Sequence, residues 1–169
     1  MKNLLILFAL FLTIGMASAQ QSLTKEETIS YIHDIVKSSS GKTNITTSGY
    51  SEIRNQSFSE NEVSYQRIAF IGMSQNSTSN FKAMNIPWET LDMESANIPK
   101  IQPGTQVTAI QIKFKGSFPV DIERIGDLSY KAQKEFKEMV IHVRNDKVEN
   151  VRKALLHLQD VCKKVDPFD

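Results

Sequence analysis

Val148, Val151, Leu155, Leu158 and Cys162 recur at spacings of three, four, three and four. That spacing predicts an amphipathic helix with a single apolar seam. Such a seam must be buried, and two heptads are too few for a coiled coil, so its natural partner is a sheet of the same domain. Asp146-Lys147-Val148-Glu149 reads as a capping box with aspartate at the cap. Lys163 and Lys164 stand at the carbonyl end, where cations suit the helix dipole.

The sheet that this helix needs can be read in the middle of the chain. Gln106–Lys115 is the clearest strand: Ile110, Ile112 and Phe114 alternate with Gln111, Lys113 and Lys115, one face dry and the other wet. Tyr50–Phe58 and Val63–Ile71 flank the polar turn Ser59-Glu60-Asn61-Glu62 and predict a hairpin. In its second arm Val63 and Tyr65 have one parity, Ile68 and Phe70 the other. A bulge or burial on both faces explains that switch. Thr43–Thr47 and Phe81–Ile86 read as further short strands, Ser74–Asn80 as a loop, and Trp88–Leu91 as one helical turn after Pro87. Phe118–Lys134 reads as a strand near Val120–Ile125 followed by a second half of helical character. Phe136–Arg144 is the last strand, with Met139, Ile141 and Val143 on one face.

A second helix precedes the strands. Thr24-Lys25-Glu26-Glu27 fits the capping box T-x-x-E. Ile29, Ile32 and Val36, with Ile35 alongside, form its stripe. Ser38-Ser39-Ser40-Gly41 ends it, with Gly41 available for a left-handed cap. The expected fold is therefore α+β: a mostly antiparallel curved sheet or partial barrel, packed by the C-terminal amphipathic helix, with an N-terminal helix added.

Ahead of that domain, Lys2, the apolar run from Leu4 to Ile14 and Ala17-Ser18-Ala19 have the order of a secretory signal. The run is shorter than the about 20 apolar residues of a membrane span. Residues 1–19 are expected to be a cleaved signal peptide, and residues 20–169 a single α+β domain, exported and soluble, without a stable membrane anchor. A domain of that size buries about 68–70% of its unfolded surface and needs no staple. The lone Cys162 agrees, and its place on the seam makes it a small buried hydrophobe. The formal charge is +1 for the whole chain, and Lys2 leaves with the leader, so the mature chain is neutral. That argues against a general nucleic-acid footprint.

No local motif carries chemistry. His33, His142 and His157 lie on three separate predicted elements, with neither the i, i+4 pair of a zinc helix nor a C-x-x-C. His33 and Asp34 adjoin, but neighbours on a helix point about 100° apart, so the pair reads as solvated surface. His157 beside the seam reads as packing at the sheet margin. Trp88 reads as a core or rim anchor. There is no P-loop, G-x-G-x-x-G or G-x-S-x-G. N-x-[ST] sequons occur at Asn44, Asn55 and Asn76, in a segment rich enough in Asn, Ser and Thr for chance to produce them. No catalytic, cofactor-binding or metal-ligating residue is expected.

Two stretches resemble something known. The leader ending Ala17-Ser18-Ala19-Gln20 looks like signal peptides of exported Bacteroidota proteins. The segments Leu23–Ile32 and Val151–Lys163, the latter with R-x-x-K-A-L-x-H-L, resemble small uncharacterised proteins of that phylum. The resemblance brings no activity with it. The order of strands before a terminal amphipathic helix also resembles a pleckstrin-homology-like barrel, whose members bind peptides or lipid headgroups; fold alone does not imply function. The expected function is a non-catalytic exported binding or envelope-associated module, with protein or lipid of the cell envelope as partner. The alternative is a small hydrolase or a ligand or lipid carrier whose site assembles only in three dimensions.

Overall fold

The computed structural model describes residues 23–126 and 128–163. The expected signal peptide and cleavage site fall in residues 1–22, outside the described residues, as does Lys164. The element order is helix α1 (Lys25–Ser38), strands β1 (Gly41–Thr43), β2 (Gly49–Phe58), β3 (Glu62–Ile71), β4 (Ser74–Met84), β5 (Leu91–Asn97), β6 (Val107–Gly126) and β7 (Tyr130–Arg144), then helix α2 (Val148–Lys163). The strands form one antiparallel, curved and unclosed sheet in the order β1-β2-β3-β4-β6-β5, with β7 paired to β6.

Both helices bury the predicted stripes. Ile29, Ile32 and Val36 of α1 are buried, as are Val151, Leu155, Leu158 and Cys162 of α2. They join Ile110, Ile112, Phe114, Met139, Ile141 and Val143 in one core. The Thr24 capping box forms: the hydroxyl accepts from the Glu27 amide at 3.2 Å, and the Glu27 carboxylate accepts from the Thr24 amide at 2.8 Å. Trp88 opens a 3-10 turn (Trp88–Thr90) after Pro87 and is buried between Phe58 and Phe114. Its indole N–H donates to the Glu60 carbonyl at 2.6 Å.

Several expectations are corrected. Gly41 makes no left-handed helix cap: Ser39 caps α1 in extended geometry, and Gly41 opens β1 at φ +142°. That φ disfavours any side chain, and a Cβ on Gly41 would also overlap the Gln106 side chain, so both require glycine there. The Asp146 capping box does not form, because the Asp146 carboxylate accepts from Arg144 and the Glu149 carboxylate from Arg152. A 3-10 turn (Asn145–Lys147) leads into α2 instead.

Ser74–Asn80 is not a loop but the first half of β4, paired with β3 along its length. Nor is the stretch before Lys134 helical: β7 starts at Tyr130 and pairs with β6. Polar composition misleads in both places, because the ladder bonds come from neighbouring strands whatever the side chains prefer. The parity switch in β3 reflects burial on both faces, with Val63 and Ile68 both covered. The associated bulge lies in the partner, between Arg54 and Ser57 of β2, where Asn55 takes φ +51°.

Strand β6 sets the curvature. Gln111–Phe114 pairs with β5 on one side, and Val120–Gly126 pairs with β4 on that same side. Between them the register against β7 shifts, from Lys113 opposite Glu138 to Phe118 opposite Phe136. The extra residues, Gly116 among them, bend the strand and let it change partners.

Candidate ligand groove

The curved sheet leaves an apolar groove of about 170 Å³ on one face. Its floor can be built row by row from the register. Val63, Ala83 and Val120 are direct partners across β3, β4 and β6; two residues further along, so are Tyr65, Phe81 and Ile122. Partners opposite one another share a face, and so do residues two apart on a strand. The wall is β7, which contributes Phe136, Glu138, Met139 and Val140. From Tyr130 to Glu138 this strand pairs only with β6, so its other edge is unpaired within the sheet.

Tyr65 and Glu138 are the only lining residues that are not apolar. The Tyr65 ring stacks on Phe81, with centroids 4.8 Å apart. Its hydroxyl makes no hydrogen bond among the described residues. Burial pushes the phenol up to about 12, against the opposing pull of Arg67. Tyr65 therefore stays protonated at neutral pH and serves as a hydrogen-bond donor rather than a base. Glu138 is exposed at the rim and lies opposite Lys113 in register.

Behind Tyr65 sits His142, whose ring meets it edge-on at 4.7 Å. Burial, helped by Arg67, pulls His142 down to about 3, so the imidazole is neutral at ordinary pH. Its Nδ1 is buried without a partner among the described residues. Arg67 donates from Nε to the Ser51 hydroxyl at 3.0 Å.

The other singled-out residues stay apart. His33 Nδ1 donates to the Phe58 carbonyl at 2.8 Å, joining α1 to β2, and Asp34 is exposed. His157 does not pack at the sheet margin: its Nε2 donates to the Leu23 carbonyl at 2.7 Å, tying α2 to the start of α1. Cys162 is buried, and that burial pushes its thiol up. Asn44 and Asn55 are exposed turn or bulge residues at φ +50° and +51°, and Asn76 is a half-buried strand residue. Among the described residues no group of three or more His, Cys, Asp or Glu is placed to hold a metal ion.

None of the groove residues is singled out by sequence motifs, since they come from four strands. The parity switch in β3 does not mark them either: the groove opens on the core-facing side, where Val63, Ala83, Val120 and Met139 also belong to the core, and Ile68 and Phe70 stand on the other face. Among the described residues no helix is long and apolar enough to cross a membrane. No protein-family model, curated protein or solved structure matches the chain.

Proposed function

We propose that the protein is an exported, non-catalytic module that binds a small apolar ligand in the groove between β3, β4, β6 and β7. One observation carries this reading: a cavity of about 170 Å³ lined by apolar side chains except for one phenol and one rim carboxylate. An apolar concavity with few polar groups is the usual form of a ligand site. The size suits a modest ligand, since an engineered apolar cavity of roughly 150 Å³ accepts benzene. Hydrolysis finds no support in the groove, where a nucleophile beside a base would be needed. Tyr65 is held protonated and Glu138 is solvated at the rim.

Export is supported by the tripartite pattern of residues 1–19. Intact-mass measurement of protein recovered outside the cytoplasm should give a chain starting at Gln20; a mass that keeps Met1–Ala19 speaks against it. Binding is tested with the neutral dye N-phenyl-1-naphthylamine, whose fluorescence should rise saturably. Phe136→Glu should abolish that rise in a variant that far-ultraviolet circular dichroism shows to be folded; Phe136 packs against the core, so some loss of stability is expected with it. No saturable signal from the parent protein sinks the reading.

A further inference from the structure

Two arginines stand on the same face, one row beyond the groove. Arg67, Ser79 and Arg124 are direct partners across β3, β4 and β6, two residues along from Tyr65, Phe81 and Ile122. That row is about 7 Å past the groove floor, and the two Cα atoms, two strands apart, are separated by about 10 Å. Both side chains are half-buried. Among the described residues neither enters an ion pair. Among the described residues Arg67 is satisfied only by the neutral Ser51 hydroxyl, and the buried Nε of Arg124 finds no partner.

Among the described residues, the carboxylates nearest to Arg124 in sequence do not answer them. Asp121 and Glu123 have the opposite parity on β6, where they accept from Gln133 and Asn80. Partly desolvated guanidinium groups without an acid are costly unless an anion completes them. Arginine suits a carboxylate in particular, through paired N–H donors. Glu138, the one anion of the groove, lies on the β7 wall opposite Lys113 rather than in the arginine row. An anionic head is therefore repelled from that rim and drawn toward Arg67 and Arg124.

We propose that the ligand is a medium-chain carboxylate, its alkyl part lying on the Val63 and Tyr65 rows and its carboxylate meeting Arg67 and Arg124. This rests on the groove being a ligand site and adds the chemistry of the head and its direction. Tyr65 lies between the two regions and supplies a neutral donor that tolerates the anion. The Val63 row ends at the exposed Lys134 of β7, whereas the half-buried cations lie in the arginine row, toward the Gly72 turn.

The test compares decanoate with decanol as competitors of bound N-phenyl-1-naphthylamine on the intact protein. Decanoate should displace the dye at roughly tenfold lower concentration, the effect of one charge-assisted hydrogen bond. The double variant Arg67→Gln, Arg124→Gln should lose that preference while displacement by decanol is unchanged. Equal potency of acid and alcohol on the parent protein overturns the carboxylate assignment and leaves the groove reading standing. A preference that survives in a variant still able to bind dye also overturns it. If the dye does not bind at all, both readings fall. The parent comparison decides the question even if the double variant does not fold.

Discussion

The side chain of Gln56 grips the backbone of His142 at both polar groups: Oε1 accepts from the His142 N–H at 3.1 Å, and Nε2 donates to the His142 carbonyl at 3.0 Å. A backbone ladder would make those bonds in a closed barrel; here one amide side chain does so between β2 and β7. The bulge at Asn55 is what turns Gln56 inward. Its Nε2 also faces the carbonyls of Val36 and Ser39 at the end of α1. Two further contacts continue the seam. The Arg144 amide donates to the Ser39 hydroxyl at 3.0 Å, and the Gln106 amide donates to the Lys42 carbonyl at 2.8 Å.

Gln56→Ala should therefore leave several buried backbone groups unsatisfied at once. Each such group costs about 1–3 kcal/mol, so a loss of at least about 2 kcal/mol is expected. Gln75→Ala, at an exposed glutamine of β4, should stay within about 0.5 kcal/mol. Urea denaturation of both variants makes the comparison, and similar midpoints would show that the seam does not depend on Gln56.

The difference between what was legible in the sequence and what was not follows from where the information sits. The α2 seam and the Ile110-Ile112-Phe114 alternation are local periodicities, and both elements form where expected. Ser74–Asn80 and Tyr130–Lys134 carry few apolar residues, so nothing local marks them as strands; their ladders depend on β3 and β6. Leu91–Asn97 is hidden for the same reason, since Leu91 and Met93 are its only large apolar residues. The groove is less legible still. Val63, Phe81, Val120 and Phe136 are far apart in sequence, and register alone brings them to one face. Gln56 also passes unnoticed, because a glutamine in a polar strand looks solvated until the bulge turns it inward.

Leu155 is fully buried at the middle of the α2 seam, between Val151 and Leu158. Leu155→Ala should cost about 2–5 kcal/mol, from lost transfer energy and the cavity left behind. Lys153 is exposed on the same helix, and alanine there should change stability by no more than about 0.5 kcal/mol. Equal denaturation midpoints for the two would mean that α2 does not dock on the sheet.

Cys162 closes the same seam, buried and with its thiol pushed up by that burial. Less thiolate and little access both slow attack on a disulfide reagent. Labelling with a thiol reagent should be negligible on the folded protein and complete in denaturant. Rapid labelling under native conditions would place the cysteine outside the core.

His142 gives the fold a pH dependence whose sign is fixed by its burial. Its folded value lies near 3, against an ordinary value of 6.5, so between those limits the unfolded chain binds the extra proton. Stability then rises with pH across that window. The contribution is complete above about pH 6.5, where both states are neutral, and drains away as the pH falls toward 3. The slope from this one group approaches about 1.4 kcal/mol per pH unit in the middle of the window. His142→Phe keeps an aromatic ring against Tyr65 and removes the titration, so its stability should fall less steeply between pH 6.5 and pH 4.5. Carboxylates contribute to the acid limb of both proteins and cancel in the difference. Parallel profiles for the parent and the variant would mean that the imidazole is protonated in the folded state, and that the buried, unpartnered Nδ1 is not what it meets in solution.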